Sequence, residues 1–246
     1  MIGDSMIRML SVIIPAHNEA GNLKLLLPKI HTVLNKQNLR HEIIVVNDNS
    51  TDNSSEILSK LKDTNTKFID RKDSKPGVGR NYRAALKIAR GDTILFMDAD
   101  FSHNPEEIPL LLKPIGQGID FVQGSRYMKT HDGTTGMKIG RKFLSKVFNV
   151  LIKIMLGISM SDYTSGFRVI RKNFLDKIKL ESDHFDVYVE IPIKLCLAGA
   201  KVREVPFTYN PRLYGRSNLN YFKMGPKYLR VIFKQWFRRK ILRKKI

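Results

Sequence analysis

In the stretch ILFMDADFSHNP, Asp98 and Asp100 stand one residue apart, just where a run of hydrocarbon gives way to polar groups. Two carboxylates so close repel each other unless a cation lies between them. If the segment is extended, side chains i and i+2 point the same way, and both carboxylates face one cleft. Hard oxygen ligands of this kind favour Mg²⁺ or Mn²⁺, which keep open positions for water and substrate phosphates. The competing reading is a turn in which an aspartate caps the helix that opens at Pro105. PAHNEA and VVNDNSTDNS add further polar groups. Asp48 in the second is suited to accept a hydrogen bond from a nucleobase or ribose; alternatively, with Ser50, it begins a helix.

KPGVGRN carries Gly77-x-Gly79 ahead of a helix. A dinucleotide fingerprint needs a third glycine and a place directly after the first strand, so a NAD site is excluded. No Walker lysine motif is present, and the two glycines read as a tight turn near phosphate. Basic residues in loop contexts are Arg126 in GSRY, Lys138, Arg141 and Lys142, Arg168 in TSGFR, and Arg212 and Arg216 in PRLYGRSN. Forked guanidinium groups match phosphate, although any one of them could equally be a solvated surface arginine.

The elements that must position these groups alternate. MLSVIIPA, EIIVVND, TKFID, TILFMDAD and DFVQGSRY read as buried strands, separated by helical patterns over Glu19 to Asn35, after Ser50-Thr51-Asp52, after Gly79 and from Pro105. Continuous rather than alternating apolar strands between helices argue for a mostly parallel sheet covered on both faces. Ligands in such sheets collect at the carboxyl ends of the strands, where Asn18, Asp48, Asp98 and Asp100 fall. Residues 128–142 read as a polar loop and Phe143 to Met160 as a mostly apolar helix carrying Lys146 and Lys153. SDYTSGFRVI then reads as strand-like, FDVYVEIPIKLCLAGA as a helix, KVREVPFTY as a strand, and the chain from Tyr221 as a helix.

The 246 residues, 42% of them hydrophobic, suit one domain with an appendage. One cysteine, Cys196, excludes an internal disulfide framework and fits a reducing compartment. No signal-peptide pattern opens the chain, and no window offers the roughly 18 unbroken apolar residues of a spanning helix. The 43 Lys and Arg outweigh 23 Asp and Glu, for a net charge of +20. Residues 221–246 hold ten of those bases and no acid. Such a field attracts nucleic acid, anionic lipid or phosphorylated substrates. A nucleic-acid role is not expected, because the stacking motifs and zinc spacings of common modules are missing.

The blocks SVIIPAHNEAGNL, EIIVVNDNSTDNS, GVGRNYRAALKIARGD, ILFMDADFSHNPEEI, FVQGSRY, DYTSGFRVI and EVPFTYNPRLYGRSNLN resemble, in order, those of family-2 glycosyltransferases. The chain is most similar to the dolichol-phosphate mannose synthases and related polyprenyl-phosphate sugar transferases. The resemblance implies an α/β GT-A fold: a Rossmann-like, mostly parallel sheet with helices on both faces, plus amphipathic membrane-facing helices. It implies a domain over 1–220, with an acceptor loop and interfacial helix over 128–160 and a basic amphipathic tail over 221–246. It implies an inverting enzyme that moves a hexose, foremost mannose from GDP-mannose, to a polyprenyl or dolichyl phosphate. A UDP-sugar such as UDP-glucose is the alternative donor. By position, Pro15, His17 and Glu19 would lie on the nucleotide and Val46 and Asp48 at the base. Asp98, Asp100 and Ser102 would hold Mg²⁺ or Mn²⁺ under the diphosphate, beside Ala99. Asp100, Arg126 and Arg141 would be catalytic, with Arg126, Arg212 and Asn218 also on the donor. The chain departs from the family pattern at His17, often aromatic there, and at Asn218, often lysine. Expected partners are a nucleotide sugar, a polyprenyl phosphate and an anionic membrane surface, with room for a small integral membrane partner. The expected location is the cytoplasmic face of the membrane, held peripherally.

Overall fold

A computed structural model describes residues 6–60, 65–72, 75–128, 132–134, 137–215 and 221–243. Seven strands form one sheet: β1 (Leu10–Ala16), β2 (His41–Asp48), β3 (Thr66–Arg71), β4 (Thr93–Phe96), β5 (Phe121–Ser125), β6 (Arg168–Arg171) and β7 (Val202–Pro206), in the order β3-β2-β1-β4-β6-β5-β7. Every pairing is parallel except those of β6, which runs antiparallel to both β4 and β5. The helices are α1 (Ala20–Lys36), α2 (Ser54–Lys60), α3 (Val78–Leu86), α4 (Ile108–Gly116), α5 (Ile139–Leu156), α6 (Lys172–Leu175), α7 (Val187–Leu197) and α8 (Tyr221–Arg243).

The unbroken apolar strands have the cause expected of them. Val12, Ile14, Ile43, Val45 and Leu95 point to one face and pack on Leu23, Leu26 and Ile30 of α1 and Leu111 and Ile115 of α4. Their neighbours Ile13, Ile44, Val46, Ile94 and Phe96 point to the other face, against Tyr82, Phe148, Ile152, Ile191, Tyr228 and Ile232. Alternation persists in the pleat but is invisible in hydropathy, because both faces are dry. Each fully buried aliphatic side chain contributes roughly 1.5–3 kcal/mol.

Three boundaries differ from expectation. The strand-like reading of SDYTSGFRVI survives only over β6. The helix expected over Phe143 to Met160 begins one turn earlier and stops at Leu156, because Gly157 takes a left-handed φ of 61° and its N–H returns to Lys153 O at 2.9 Å. The tail is no separate appendage: α8 packs on α5 and α7, burying Met224, Tyr228, Val231 and Ile232. Among the described residues no helix is long and apolar enough to cross a membrane.

Candidate active site

β4 ends at Phe96, and Ala99 and Asp100 already belong to a turn. Phe101, with φ at 64°, completes the reversal. The two aspartates therefore meet through a turn, and the extended-segment argument for their common direction does not apply. Both still line a cleft of about 380 Å³ at the carboxyl ends of β1, β2 and β4.

Each carboxylate is fixed on one side. Asp98 Oδ1 accepts from the Tyr188 hydroxyl at 2.6 Å. The Asp98 N–H donates to His103 Nδ1 at 2.9 Å, which leaves the proton on Nε2, 3.9 Å from Asp98 Oδ2. Burial lowers the His103 pKa, despite both aspartates, so the ring is neutral. Asp100 Oδ1 accepts from the Ser102 N–H at 3.0 Å. Asp100 Oδ2 lies 2.8 Å from Arg212 Nη2, and Arg212 Nη1 lies 2.7 Å from Glu19 Oε1. Burial opposes charge on Asp100, yet Arg212 and Ser102 hold its pKa below the usual carboxylate range. Burial wins at Glu19, whose pKa is raised in spite of Arg212 and Asn22.

Arg126 follows β5 and is 2% exposed. Its Nε and Nη2 bind Asp162 at 2.7 and 2.8 Å, and Nη2 also reaches Thr164 Oγ1 at 2.7 Å. Among the described residues its Nη1 meets only the Met137 thioether, at 3.7 Å. Burial opposes ionisation of Asp162, but the guanidinium keeps its carboxyl below the usual range. Glu204 of β7 holds the Asp162 segment by accepting from the N–H groups of Ser161 and Asp162 at 2.8 and 3.0 Å. Arg141, on the first turn of α5, donates to the Tyr209 hydroxyl at 2.5 Å and lies over that ring at 4.5 Å. No carboxylate partners it among the described residues.

Pro15, Ala16, His17 and Asp48 also line the cleft. His17 Nδ1 is 2.6 Å from Asp48 O. Asp48 Oδ2 accepts from the Gly77 N–H at 2.6 Å and from Asn81 Nδ2 at 3.0 Å, while Oδ1 faces Arg71 at 3.5 Å. Its carboxylate is thus engaged in tying α3 to β2. The glycines before α3 are there for packing: a Cβ at Gly79 would come within 2.0 Å of Ser182 O, and one at Gly77 within 2.2 Å of Asp183 O.

Glu19, Asp98, Ala99, Asp100, Arg126, Arg141 and Arg212 line this one cleft together. Three expectations are corrected or unplaced. Val46 is a core residue beneath the sheet edge, so its side chain meets no base. Ser102 is fully buried and does not line the cleft; it serves Asp100 through its backbone N–H. Asn218, like Arg216, lies outside the described residues. Arg168 is also buried, with Nη2 on the Tyr188 carbonyl at 3.0 Å, and is no phosphate ligand. The sequence reading missed His103, Asp162, Tyr188 and Tyr209, whose partners lie up to 90 positions away. It also missed the apolar lining of the cleft, from Leu144, Phe148, Phe185, Met224 and Tyr228.

The donor set suits a hard divalent ion. Asp98 and Asp100 offer carboxylate oxygens to the cleft, anchored from behind by Tyr188 and Ser102. Among the described residues no group of three His, Cys, Asp or Glu side chains is placed to enclose an ion. Two carboxylates with the remaining positions left to water and substrate oxygens is how Mg²⁺ is commonly held.

A Pyrococcus furiosus protein named dolichol-phosphate mannosyltransferase is 36% identical over 226 residues, covering 91% of this chain and 62% of that protein. The chain thus spans less than two thirds of that relative's length. A Mycolicibacterium smegmatis polyprenol monophosphomannose synthase is 33% identical over 218 residues, covering 85% of this chain and 80% of that one. The fold is that of Mycobacterium tuberculosis glucosyl-3-phosphoglycerate synthase, solved in complex with Mn²⁺ and UDP-glucose: TM-score 0.65, 21% identity, 92% of this chain and 77% of that one. The model of glycosyl transferase family 2 matches residues 11–179, from the first strand through the whole carboxylate edge, and the chain belongs to that family.

Proposed function

We propose that the protein transfers a hexose, mannose from GDP-mannose, to a polyprenyl phosphate at the cytoplasmic membrane face, with inversion at the anomeric carbon. One observation carries this reading: a single cleft is lined by the carboxylates Asp98 and Asp100, by Arg126 and Arg141, and by the apolar side chains of Leu144, Phe148, Phe185, Met224 and Tyr228. Its charged and apolar lining groups suit a sugar nucleotide and an isoprenoid phosphate. The names of the two curated relatives support the same pair of substrates.

Asp98 and Asp100 would hold Mg²⁺ or Mn²⁺, which when bound neutralises charge building on the leaving diphosphate. The acceptor phosphate is already an anion, so no side chain has to remove a proton from it. The obstacle is bringing two anions together. Arg141 and the Nη1 edge of Arg126 would meet the acceptor, and Arg212 the donor. His103, kept neutral, adds no competing charge behind Asp98.

The membrane contact rests on α5 and α8. Ile139, Phe143, Val147, Val150 and Ile154 make an exposed apolar stripe along α5, and Leu229, Phe233 and Phe237 continue it on α8. Lysines and arginines flank both, as in helices that lie on anionic bilayers. A chain with one cysteine builds no internal disulfide, which suits the cytoplasmic side.

The test is transfer from radiolabelled GDP-mannose, with UDP-glucose as the second donor, to undecaprenyl or dolichyl phosphate, with and without Mg²⁺ or Mn²⁺. Labelled lipid from GDP-mannose only, and only with metal, is expected. No lipid product from either donor would overturn the proposal; product from UDP-glucose alone would overturn the choice of donor.

A further inference from the structure

We infer that Arg212 is a resident counter-cation of the carboxylate edge, displaced from Asp100 by a divalent ion arriving with the nucleotide, and that Glu19 is the tether that keeps Arg212 in the cleft. This rests on the metal reading of Asp98 and Asp100 above. Glu19, Asp98 and Asp100 all line one cleft. Arg212 spans two of them with different nitrogens, Nη1 on Glu19 at 2.7 Å and Nη2 on Asp100 Oδ2 at 2.8 Å. A divalent ion on Asp100 needs oxygen that Arg212 now faces. Like charges within about 4 Å repel strongly in such a site, so the two cations compete.

The backbone around Arg212 is pinned. Asn210 N–H donates to Ser102 O at 3.2 Å, Leu213 N–H to Asp100 O at 3.2 Å, and Asn22 Nδ2 to Tyr214 O at 3.3 Å. Only the side chain is free to respond, and at 23% exposure it reaches the cleft water. Glu19 is itself fixed by Asn22 Nδ2 at 2.5 Å on its other oxygen. When Asp100 turns to the ion, Arg212 stays on Glu19 and offers Nη2 to the donor's diphosphate. Glu19 is therefore a positioning residue, not a ligand of the nucleotide.

Mn²⁺ uptake by the full chain, followed by electron paramagnetic resonance without and with GDP-mannose or UDP-glucose, separates the outcomes. In Arg212→Gln, Mn²⁺ binding without nucleotide should tighten by about tenfold, while nucleotide-sugar binding in the presence of Mn²⁺ weakens by at least as much. Arg212→Lys, which keeps the charge, should leave nucleotide-free Mn²⁺ binding close to wild type. Wild-type uptake with nucleotide, but no tightening in Arg212→Gln, would overturn the inference and leave the metal reading standing. No Mn²⁺ uptake by wild type under any condition would overturn both. Should Arg212→Gln not fold, the wild-type crystal structure with Mn²⁺ and GDP decides: Arg212 on Glu19 and a phosphate oxygen supports the inference, and Arg212 still on Asp100 refutes it.

Discussion

Asp100 holds three groups at once, the Ser102 N–H, the Arg212 guanidinium and the backbone of Leu213. Asp100→Asn keeps the shape and removes the charge, so transfer should fall by about 10²–10³-fold, the usual effect of losing one electrostatic stabiliser. The measurement is labelled-lipid formation alongside a thermal melt, which should move little. Asp162 behaves differently. Asp162→Ala strands the buried Arg126 guanidinium and should cost about 3–5 kcal/mol of stability in urea unfolding, besides activity. This contrast shows what was legible at this scale. Residues within a short motif, such as Asp98 and Asp100, could be read directly. Asp162 and Tyr188 could not, because nothing in a single sequence pairs Arg126 with a residue 36 positions on, or Asp98 with one 90 positions on. Val46 and Ser102 were assigned by resemblance alone, which aligns positions but does not say that the Val46 side chain points into the core or that Ser102 is buried.

Among the elements, α5 and α8 carry the next predictions. Replacing Phe143 and Ile154 of the exposed stripe with Glu should abolish sedimentation with anionic vesicles while leaving the melt unchanged, because both side chains are solvent-exposed. Deleting α8 would be a poor test, since Tyr228 and Ile232 belong to the core. Glu181 fastens α8 to the body: Lys194 of α7 lies 2.9 Å away, and Lys234 and Arg238 of α8 at 3.0 and 3.3 Å. These hydrogen bonds and charges, Lys194 first, pull the Glu181 pKa from 4.5 to about 2. A depressed carboxylate pKa gives stability that is complete above about pH 4.5 and lost as pH falls towards about 2. The protection factors of α8 amides, taken against their intrinsic exchange rates, should therefore fall across that window, and Glu181→Gln should flatten the response. The order of strands and helices was readable from hydropathy because buried parallel strands are unbroken apolar runs. The reversed direction of β6 was not, since a strand dry on both faces reads the same whichever way it runs.

For the whole molecule, net charge is the governing quantity. With +20 spread over 246 residues, attraction to anionic vesicles should weaken steeply between 50 and ~500 mM salt, as the Debye length shrinks from about 14 Å to about 4 Å. Each basic residue at the surface contributes about 1 kcal/mol at low salt. Binding that ignored salt would show that the apolar stripe alone accounts for attachment.

The packing of α8 into the cleft wall has one further consequence. β1 begins at Leu10, while Met224 and Tyr228 close the same cleft from the opposite end of the described chain. β7, the last strand of the sheet, ends at Pro206, shortly before Met224, so only β1 to β6 are made well ahead of this wall. A ribosome paused after β7 would hold a nascent chain with Arg126 and Arg141 of the cleft already translated, and with Leu144 and Phe148 of the same cleft not yet covered by α8. A chaperone or a bilayer would meet those two side chains before α8 does.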